Sequence, residues 1–107
     1  MIKHLTVFTI DPARGAEGVA QMKAALDEAA ATSPLVRASE SGTMLPPIPG
    51  APQPPEGAGP AWGDVVQILT FDNRADADAY PVSPAHDALL AKTEGLVISA
   101  TAIDFEA

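Results

Sequence analysis

Residues 2–10 read Ile-Lys-His-Leu-Thr-Val-Phe-Thr-Ile, and their alternating pattern decides the fold. Successive side chains of a β-strand point to opposite faces of its sheet. His4 and Phe8 therefore point to one face, whereas Leu5 and Val7 point to the other. Because both faces of this predicted strand carry apolar residues, we expect both faces to be covered.

Proline, glycine and further apolar patterns divide the rest of the chain into alternating strands and helices. The predicted elements after the first strand are a helix over 14–32, a strand over 35–45, a strand over 62–71, a helix from Asn73 to about Tyr80, a helix over 84–93 and a strand over 96–105. This order predicts an α+β fold, in which a ferredoxin-like four-stranded antiparallel sheet carries its helices on one face.

The sheet face opposite the helices is predicted to be apolar. It carries Leu5 and Val7 together with apolar parts of the third and fourth strands. Monomeric proteins rarely expose an apolar face of this extent to water. We therefore expect a homodimer in which the open sheet faces of two copies pack together, forming a dimeric α+β barrel.

A proline-rich segment interrupts the pattern between the second and third strands. Seven of the 11 prolines lie between Pro46 and Pro60, together with three glycines. Because proline removes a backbone donor and blocks helices, we expect an extended loop over 46–61, inserted into one domain that spans 1–107. The candidate roles of this loop are a tolerated surface insertion, a lid, or an arm that contacts a partner.

Composition excludes several classes of function. The chain has 107 residues and a formal net charge of −8, from 14 acidic and 6 basic residues. Such a surface repels phosphate backbones and anionic lipids, so we expect neither a nucleic-acid partner nor a membrane partner. The chain has no cysteine, and its N-terminus has neither a signal peptide nor the roughly 18 apolar residues of a membrane span. We expect a cytoplasmic protein.

The segment 79–90, Ala-Tyr-Pro-Val-Ser-Pro-Ala-His-Asp-Ala-Leu-Leu, contains the best candidates for acid–base chemistry. Tyr80 is the single tyrosine, and His86 and His4 are the two histidines. An imidazole titrates near neutral pH, and a phenol can donate a hydrogen bond to a developing oxyanion. The alternative for each of these residues is a structural role, as a capping histidine or a core tyrosine.

Three parts of the chain resemble the stress-responsive A/B barrel (Dabb) domain family. These are Lys3-His4-Leu5 in the first strand, the segment from Tyr80 to His86, and the ending Ile103-Asp104-Phe105-Glu106. The segment from Tyr80 to His86 is similar to the family pattern Tyr-x-x-His-Pro-Ala-His, with Ser83 in place of the first histidine. The resemblance implies a dimeric α+β barrel and covers nearly the whole chain outside the loop.

The family includes a plant polyketide cyclase whose pocket residues carry over to His4, Tyr80 and His86. A further pocket histidine of that enzyme falls at Asp64 here. Many family members have no established activity, so the resemblance alone does not make the chain an enzyme. The relatives of such dimeric barrels also include small monooxygenases and lactone isomerases, which differ in their pocket residues.

These residues predict a catalytic site for a small carbonyl compound. His86 would remove a proton next to the carbonyl, Tyr80 would donate to the enolate oxygen, and His4 would position them or bind substrate. Asp64 and Phe8 are the predicted substrate-binding residues, and Asp64 or Asp87 is a candidate to orient an imidazole. No phosphate loop and no metal-ligand spacing is present, so we expect no cofactor and no metal.

Two further interpretations stay open at this point. One is a non-catalytic stress or binding protein whose barrel holds an apolar small molecule. The other is a structural role in which the loop over 46–61 contacts a partner or the second copy. Turnover of a bound compound distinguishes the enzyme from the binding protein, and deletion of the loop tests the structural role.

Overall fold

The computed structural model describes residues 1–46, 48–52 and 63–107, and these contain four strands and three helices. In chain order they are β1 (Ile2–Ile10), α1 (Gly15–Thr32), β2 (Ala38–Thr43), β3 (Val65–Phe71), α2 (Arg74–Ala79), α3 (Pro84–Lys92) and β4 (Val97–Glu106). Single 3₁₀ turns lie at Pro12–Arg14 and Tyr80–Val82. The predicted order of strands and helices is confirmed.

The strands form one antiparallel sheet in the order β2-β3-β1-β4, which is the ferredoxin-like arrangement. β1 lies between β3 and β4. Its His4 is opposite Leu69 on β3 and Asp104 on β4, and its Thr6 is opposite Gln67. Residues that face each other in register point to the same side of a sheet. The register therefore places all five side chains on one face.

The hydrophobic core lies between this face and the helices. The predicted apolar stripe of α1 is confirmed, because Met22, Leu26 and Ala29 are buried and Val19 packs against them. Phe71 on β3 is also fully buried. Burial of large side chains such as these stabilises the fold by about 1.5–3 kcal/mol each, and it holds the helices over one side of the sheet.

Local signals set the ends of the elements. The predicted N-cap of α2 is confirmed, because the side chain of Asn73 accepts from the backbone N–H of Asp76 at 2.9 Å. Gly95 lies in the turn after α3 with a φ of 78°, which favours glycine. The second and third strands are shorter than predicted. A turn follows α1 at Pro34, so β2 begins at Ala38, and β3 begins at Val65.

Most of the predicted loop over 46–61 lies outside the described residues, as does Trp62 at the predicted start of the third strand. Residues 48–52 contain a turn in which the backbone N–H of Ala51 donates to the carbonyl of Ile48 at 2.9 Å. Among the described helices, none has the length and apolar character needed to cross a membrane. The cytoplasmic location stays a prediction.

The second face of the sheet carries the predicted apolar residues, together with Lys3 and Thr70, which are opposite each other in register. Leu5 on β1 is opposite Ile68 on β3 and Ile103 on β4, so the three share this face. Phe105 lies on the same face of β4. Ile103 is 58% exposed and Phe105 is 45% exposed. We call this surface, formed by the side chains of Leu5, Val7, Val66, Ile68, Ile103 and Phe105, the open face.

Candidate active site

A cavity of about 440 Å³ lies between the helix-covered face of the sheet and helices α1 and α3. The cavity is lined by four of the predicted site residues, which are His4, Tyr80, His86 and Phe8. The other lining residues are largely apolar: Thr6, Met22, Leu26, Gln67, Leu69, Leu89, Leu90, Thr93, Glu94, Gly95, Val97, Ala100 and Ala102.

Ser83 connects Tyr80 to His86. Pro81 ends α2, and Tyr80 begins the 3₁₀ turn that follows. The hydroxyl of Ser83 donates a hydrogen bond to the carbonyl of Tyr80 at 2.6 Å. The hydroxyl oxygen of Ser83 also accepts from the backbone N–H of His86 at 3.4 Å, so Ser83 is the N-cap of α3. The serine that departs from the family pattern therefore holds the turn on which both candidate residues lie.

Tyr80 and His86 meet inside the cavity. Their ring centroids are 5.4 Å apart and the ring planes are at 80°, so one ring packs its edge against the other. Tyr80 is only 5% exposed. The hydroxyl of Tyr80 and Nδ1 of His86 are buried, and neither has a hydrogen-bond partner among the described residues. Buried polar atoms without a partner are rare in folded proteins, so these two atoms are candidates for hydrogen bonds that form when a ligand enters the cavity.

Burial also sets the protonation of the two residues. Burial raises the pKa of Tyr80, so its phenol keeps its proton near neutral pH. Burial lowers the pKa of His86, the charge of Asp87 opposes this effect, and the nearby His4 adds to it. A neutral imidazole with a free lone pair is a base, and a protonated phenol is a hydrogen-bond donor. The pair therefore combines both functions in one cavity.

His4 is fixed through both nitrogens of its ring. Nδ1 lies 2.5 Å from Oδ1 of Asp104, and Nε2 lies 3.0 Å from the hydroxyl oxygen of Thr6. Asp104 reaches His4 because the two residues are opposite each other on β1 and β4. An ionised carboxylate only accepts, so Nδ1 carries a hydrogen. Asp104 is thus the carboxylate that orients this imidazole, a role that was predicted for Asp64 or Asp87.

Asp64 is not among the residues that line the cavity. Its carboxylate accepts from the backbone N–H of Ile10 at 2.7 Å, and its own backbone N–H donates to the carbonyl of Phe8 at 2.7 Å. Asp64 therefore ties the start of β3 to the end of β1. Asp87 does not line the cavity either, and it acts on His86 through its charge.

Two buried polar side chains that line the cavity were also not predicted from the sequence as site residues. Thr6 is 7% exposed and Gln67 is 4% exposed, and they are opposite each other on β1 and β3. The only signal for Gln67 was a single polar residue inside the apolar run of its strand. Within 1–46, 48–52 and 63–107, no cluster of three or more histidine and acidic side chains is placed to hold a metal ion.

The fold is shared with solved structures of low sequence identity. A protein from Arabidopsis thaliana has a TM-score of 0.76 at 15% identity, covering 100% of this chain and 95% of that protein. A dimeric ferredoxin-like protein of unknown function from Thermobifida fusca YX has a TM-score of 0.72 at 24% identity, covering 99% of this chain and 90% of that protein. An antibiotic biosynthesis monooxygenase has a TM-score of 0.66 at 16% identity, covering 100% and 98%.

The sequence itself identifies the family. No curated protein matches the chain. The profile of the stress responsive A/B barrel domain, Dabb, matches residues 2–107 and thus nearly the whole chain. Of the residues that carry the resemblance, His4 on β1, Tyr80 in the turn before α3 and His86 on α3 line the same cavity. The chain belongs to the Dabb family of stress responsive A/B barrel domains.

Proposed function

We propose that this protein is an acid–base enzyme that acts with its own side chains on a small carbonyl compound, as cyclases, aldolases and lyases do. The observation that carries the proposal is that Tyr80 and His86 line one cavity of about 440 Å³, and that the hydroxyl of Tyr80 and Nδ1 of His86 have no hydrogen-bond partner among the described residues. The desolvation of these two atoms is offset when a ligand provides the missing hydrogen bonds.

The proposed step begins with the neutral imidazole of His86. Its lone pair takes a proton from the carbon next to the carbonyl, and the electrons of the C–H bond move into an enolate. Tyr80 donates its O–H to the enolate oxygen, where negative charge develops. The enolate carbon then attacks a second carbonyl, or the enolate expels a leaving group. The imidazolium of His86 returns the proton to the product.

His4 supports this step as a positioning residue. Asp104 and Thr6 hold its ring in one orientation. His4 also contributes to the lowered pKa of His86, which keeps that imidazole neutral and able to accept a proton. Phe8 contributes an apolar wall against which the carbon skeleton of a substrate packs.

The apolar lining of the cavity favours a second candidate, a protein that binds an apolar small molecule without converting it. Met22, Leu26, Leu69 and Val97 all line the cavity. In that case His4, Tyr80 and His86 shape the pocket and orient the ligand. The two candidates differ in one observable, because a binding protein retains its ligand unchanged while an enzyme releases product.

We also propose that two copies pack through the open face to form a dimeric barrel. Ile103 and Phe105 are large apolar residues on β4 that a single chain leaves exposed. Related structures with the same fold are described as dimeric. Sheet-on-sheet packing of two such faces removes the apolar surface from water and gives each protomer a second layer.

Proton abstraction is tested by deuterium exchange. The probe is 4-phenylbutan-2-one in D₂O, and the loss of its proton signals next to the carbonyl is followed by NMR. We expect the protein to accelerate the exchange, and the variant His86→Ala to reduce the acceleration by roughly 10²–10⁴-fold, which is the usual contribution of a general base. If the ketone binds to the wild-type protein but exchanges only at the uncatalysed rate, the result would favour the second candidate, a protein that binds its ligand without converting it.

A further inference from the structure

Thr6 and Gln67 form a polar patch on the sheet side of the cavity. The two side chains are opposite each other in register, both line the cavity, and both are more than nine-tenths buried. Their neighbours toward the helices are the apolar Met22 and Leu26. A buried polar patch in such surroundings costs free energy unless its hydrogen-bonding atoms are matched. We therefore account for each donor and acceptor of the two residues.

The donor of Gln67 is already used. Its Nε2 donates to the backbone carbonyl of Leu26 at 3.2 Å. Because that carbonyl can only accept, the amide is oriented with its NH₂ group toward α1. The remaining polar atom of the side chain, Oε1, is an acceptor, and no described residue donates a hydrogen bond to it.

The donor of Thr6 is used as well when His4 is neutral. Asp104 keeps the hydrogen of the imidazole on Nδ1 of His4, so Nε2 is an acceptor and the hydroxyl of Thr6 donates to it. The oxygen of Thr6 then offers only lone pairs to the cavity. The polar patch formed by Thr6 and Gln67 therefore presents acceptors, whereas Tyr80, which lines the same cavity, carries a donor.

We propose that Gln67 determines substrate specificity and selects a hydroxyketone, an inference that rests on the proposed function. The hydroxyl group of the substrate donates to Oε1 of Gln67, while its carbonyl oxygen accepts from the hydroxyl of Tyr80. The apolar remainder of the substrate packs against Leu69 and Met22. A ketone without a hydroxyl provides no donor to Oε1 of Gln67, and is therefore bound more weakly.

The experiment compares two probes that differ in one donor. These are 4-hydroxy-4-phenylbutan-2-one and its methyl ether, 4-methoxy-4-phenylbutan-2-one, with binding measured by calorimetric titration at pH 7. We expect the wild-type protein to bind the hydroxyketone roughly tenfold more tightly, as one additional hydrogen bond implies. In the variant Gln67→Leu the preference should disappear, because leucine has similar size and no acceptor.

The matched control is Gln21→Leu, which makes the same change at an exposed position of α1, and which should retain the preference. If Gln67→Leu does not fold, Gln67→Met removes the same acceptor with an unbranched side chain. Equal affinity of the wild-type protein for the two probes, no binding of the hydroxyketone, or a preference retained in both Gln67 variants would overturn the proposal.

Failure of this proposal can be distinguished from failure of the proposed function. The preference for a hydroxyl group is measured by binding and requires no turnover. Deuterium exchange measures proton abstraction and does not require a hydroxyl group in the probe. If the protein accelerates exchange but shows no preference for the hydroxyketone, only the proposed role of Gln67 is refuted. If it prefers the hydroxyketone but does not accelerate exchange, the proposed enzymatic activity is refuted, and the protein is one that binds hydroxyketones.

Discussion

The two faces of strand β1 differ in every property that bears on function, although they come from the same nine residues. One face carries His4 and Thr6 beneath the helices, and these side chains are hydrogen-bonded to each other. The other face carries Leu5 and Val7, which belong to the apolar open face. Alternation along one strand therefore separates the candidate chemistry from the candidate dimer contact.

This separation follows from what each task needs. A reacting group gains from a dry environment, because burial shifts its pKa and strengthens its hydrogen bonds. A dimer contact gains from apolar area that is exposed until the partner arrives. If the comparison is correct, a substitution on one face should change one property and leave the other unchanged.

The largest effect is expected on the helix-covered side, from His86→Ala. Loss of the general base should reduce the rate of proton exchange by roughly 10²–10⁴-fold. The oligomeric state, measured by light scattering after size-exclusion chromatography, should be that of the wild-type protein, because His86 lies away from the open face. A variant with wild-type exchange would contradict the assigned role, and a monomeric variant would contradict the separation of the faces.

The next effect is expected from Tyr80→Phe, which removes only the unpartnered hydroxyl. Without a donor to the enolate oxygen, exchange should slow by roughly 10²-fold. The free energy of unfolding, from urea titration, should rise by about 1 kcal/mol, because a buried hydroxyl with no partner is replaced by an apolar edge. Phe71→Tyr cannot serve as the reverse control for Tyr80→Phe, because Phe71 is fully buried and does not line the cavity of about 440 Å³.

A fall in stability for Tyr80→Phe would show that the hydroxyl has a partner in the folded protein. It would therefore count against the argument that this atom awaits a ligand. Unchanged exchange in a well-folded Tyr80→Phe protein would assign Tyr80 to the core, as the structural alternative holds.

On the open face, Ile103→Lys should weaken the dimer on the order of tenfold or more, because the interface would bury an unpaired ammonium group. Proton exchange per protomer should be retained wherever the protomer stays folded. The control is Val82→Lys, which places the same charge at a side chain that is 80% exposed and outside the sheet. If Ile103→Lys weakens the dimer no more than Val82→Lys does, the open face is not the dimer interface.

The smallest effect is the pH dependence of stability that is due to His86. Burial lowers the pKa of His86 in the folded chain, whereas an unfolded histidine titrates near about 6.5. Between these two values the unfolded state binds more protons, so the free energy of unfolding should fall as the pH drops below about 6.5. The groups that act on His86 are Asp87, which opposes the shift, and His4, which adds to it.

Urea titrations at pH 5.5 and 7.5 measure this difference. In His86→Gln the loss of stability at the lower pH should be smaller than in the wild-type protein. An equal or larger loss in the variant would mean that other groups carry the pH dependence and that His86 is not held neutral by burial.

The fold was largely predictable because its signals are local. The alternation of residues 2–10 and the stripe of Met22, Leu26 and Ala29 each depend on neighbours within a few positions, and both patterns are confirmed. The ends of β2 and β3 were less predictable. These strands end where pairing with their neighbours stops, and pairing is decided by tertiary structure.

The candidate site was predictable only in part. The residue types of His4, Tyr80 and His86 pointed to acid–base chemistry, and the structure places the three around one cavity. The partner of His4 was not identified. Asp64, where the resemblance places a pocket histidine, and Asp87 were the predicted candidates, whereas Asp104, 100 positions from His4, is the carboxylate that reaches it.

The sequence by itself determined the order of the elements, the apolar character of both sheet faces and the residues capable of acid–base chemistry, because periodicity and residue type are properties of the chain. Only the tertiary structure decided which polar atoms meet. Strand register brought Asp104 and Thr6 to His4 and set Gln67 beside Thr6. Helix packing left the hydroxyl of Tyr80 and Nδ1 of His86 buried without a hydrogen-bond partner in the part of the chain that the structure describes. Such contacts join residues far apart in the chain, and no local pattern specifies them.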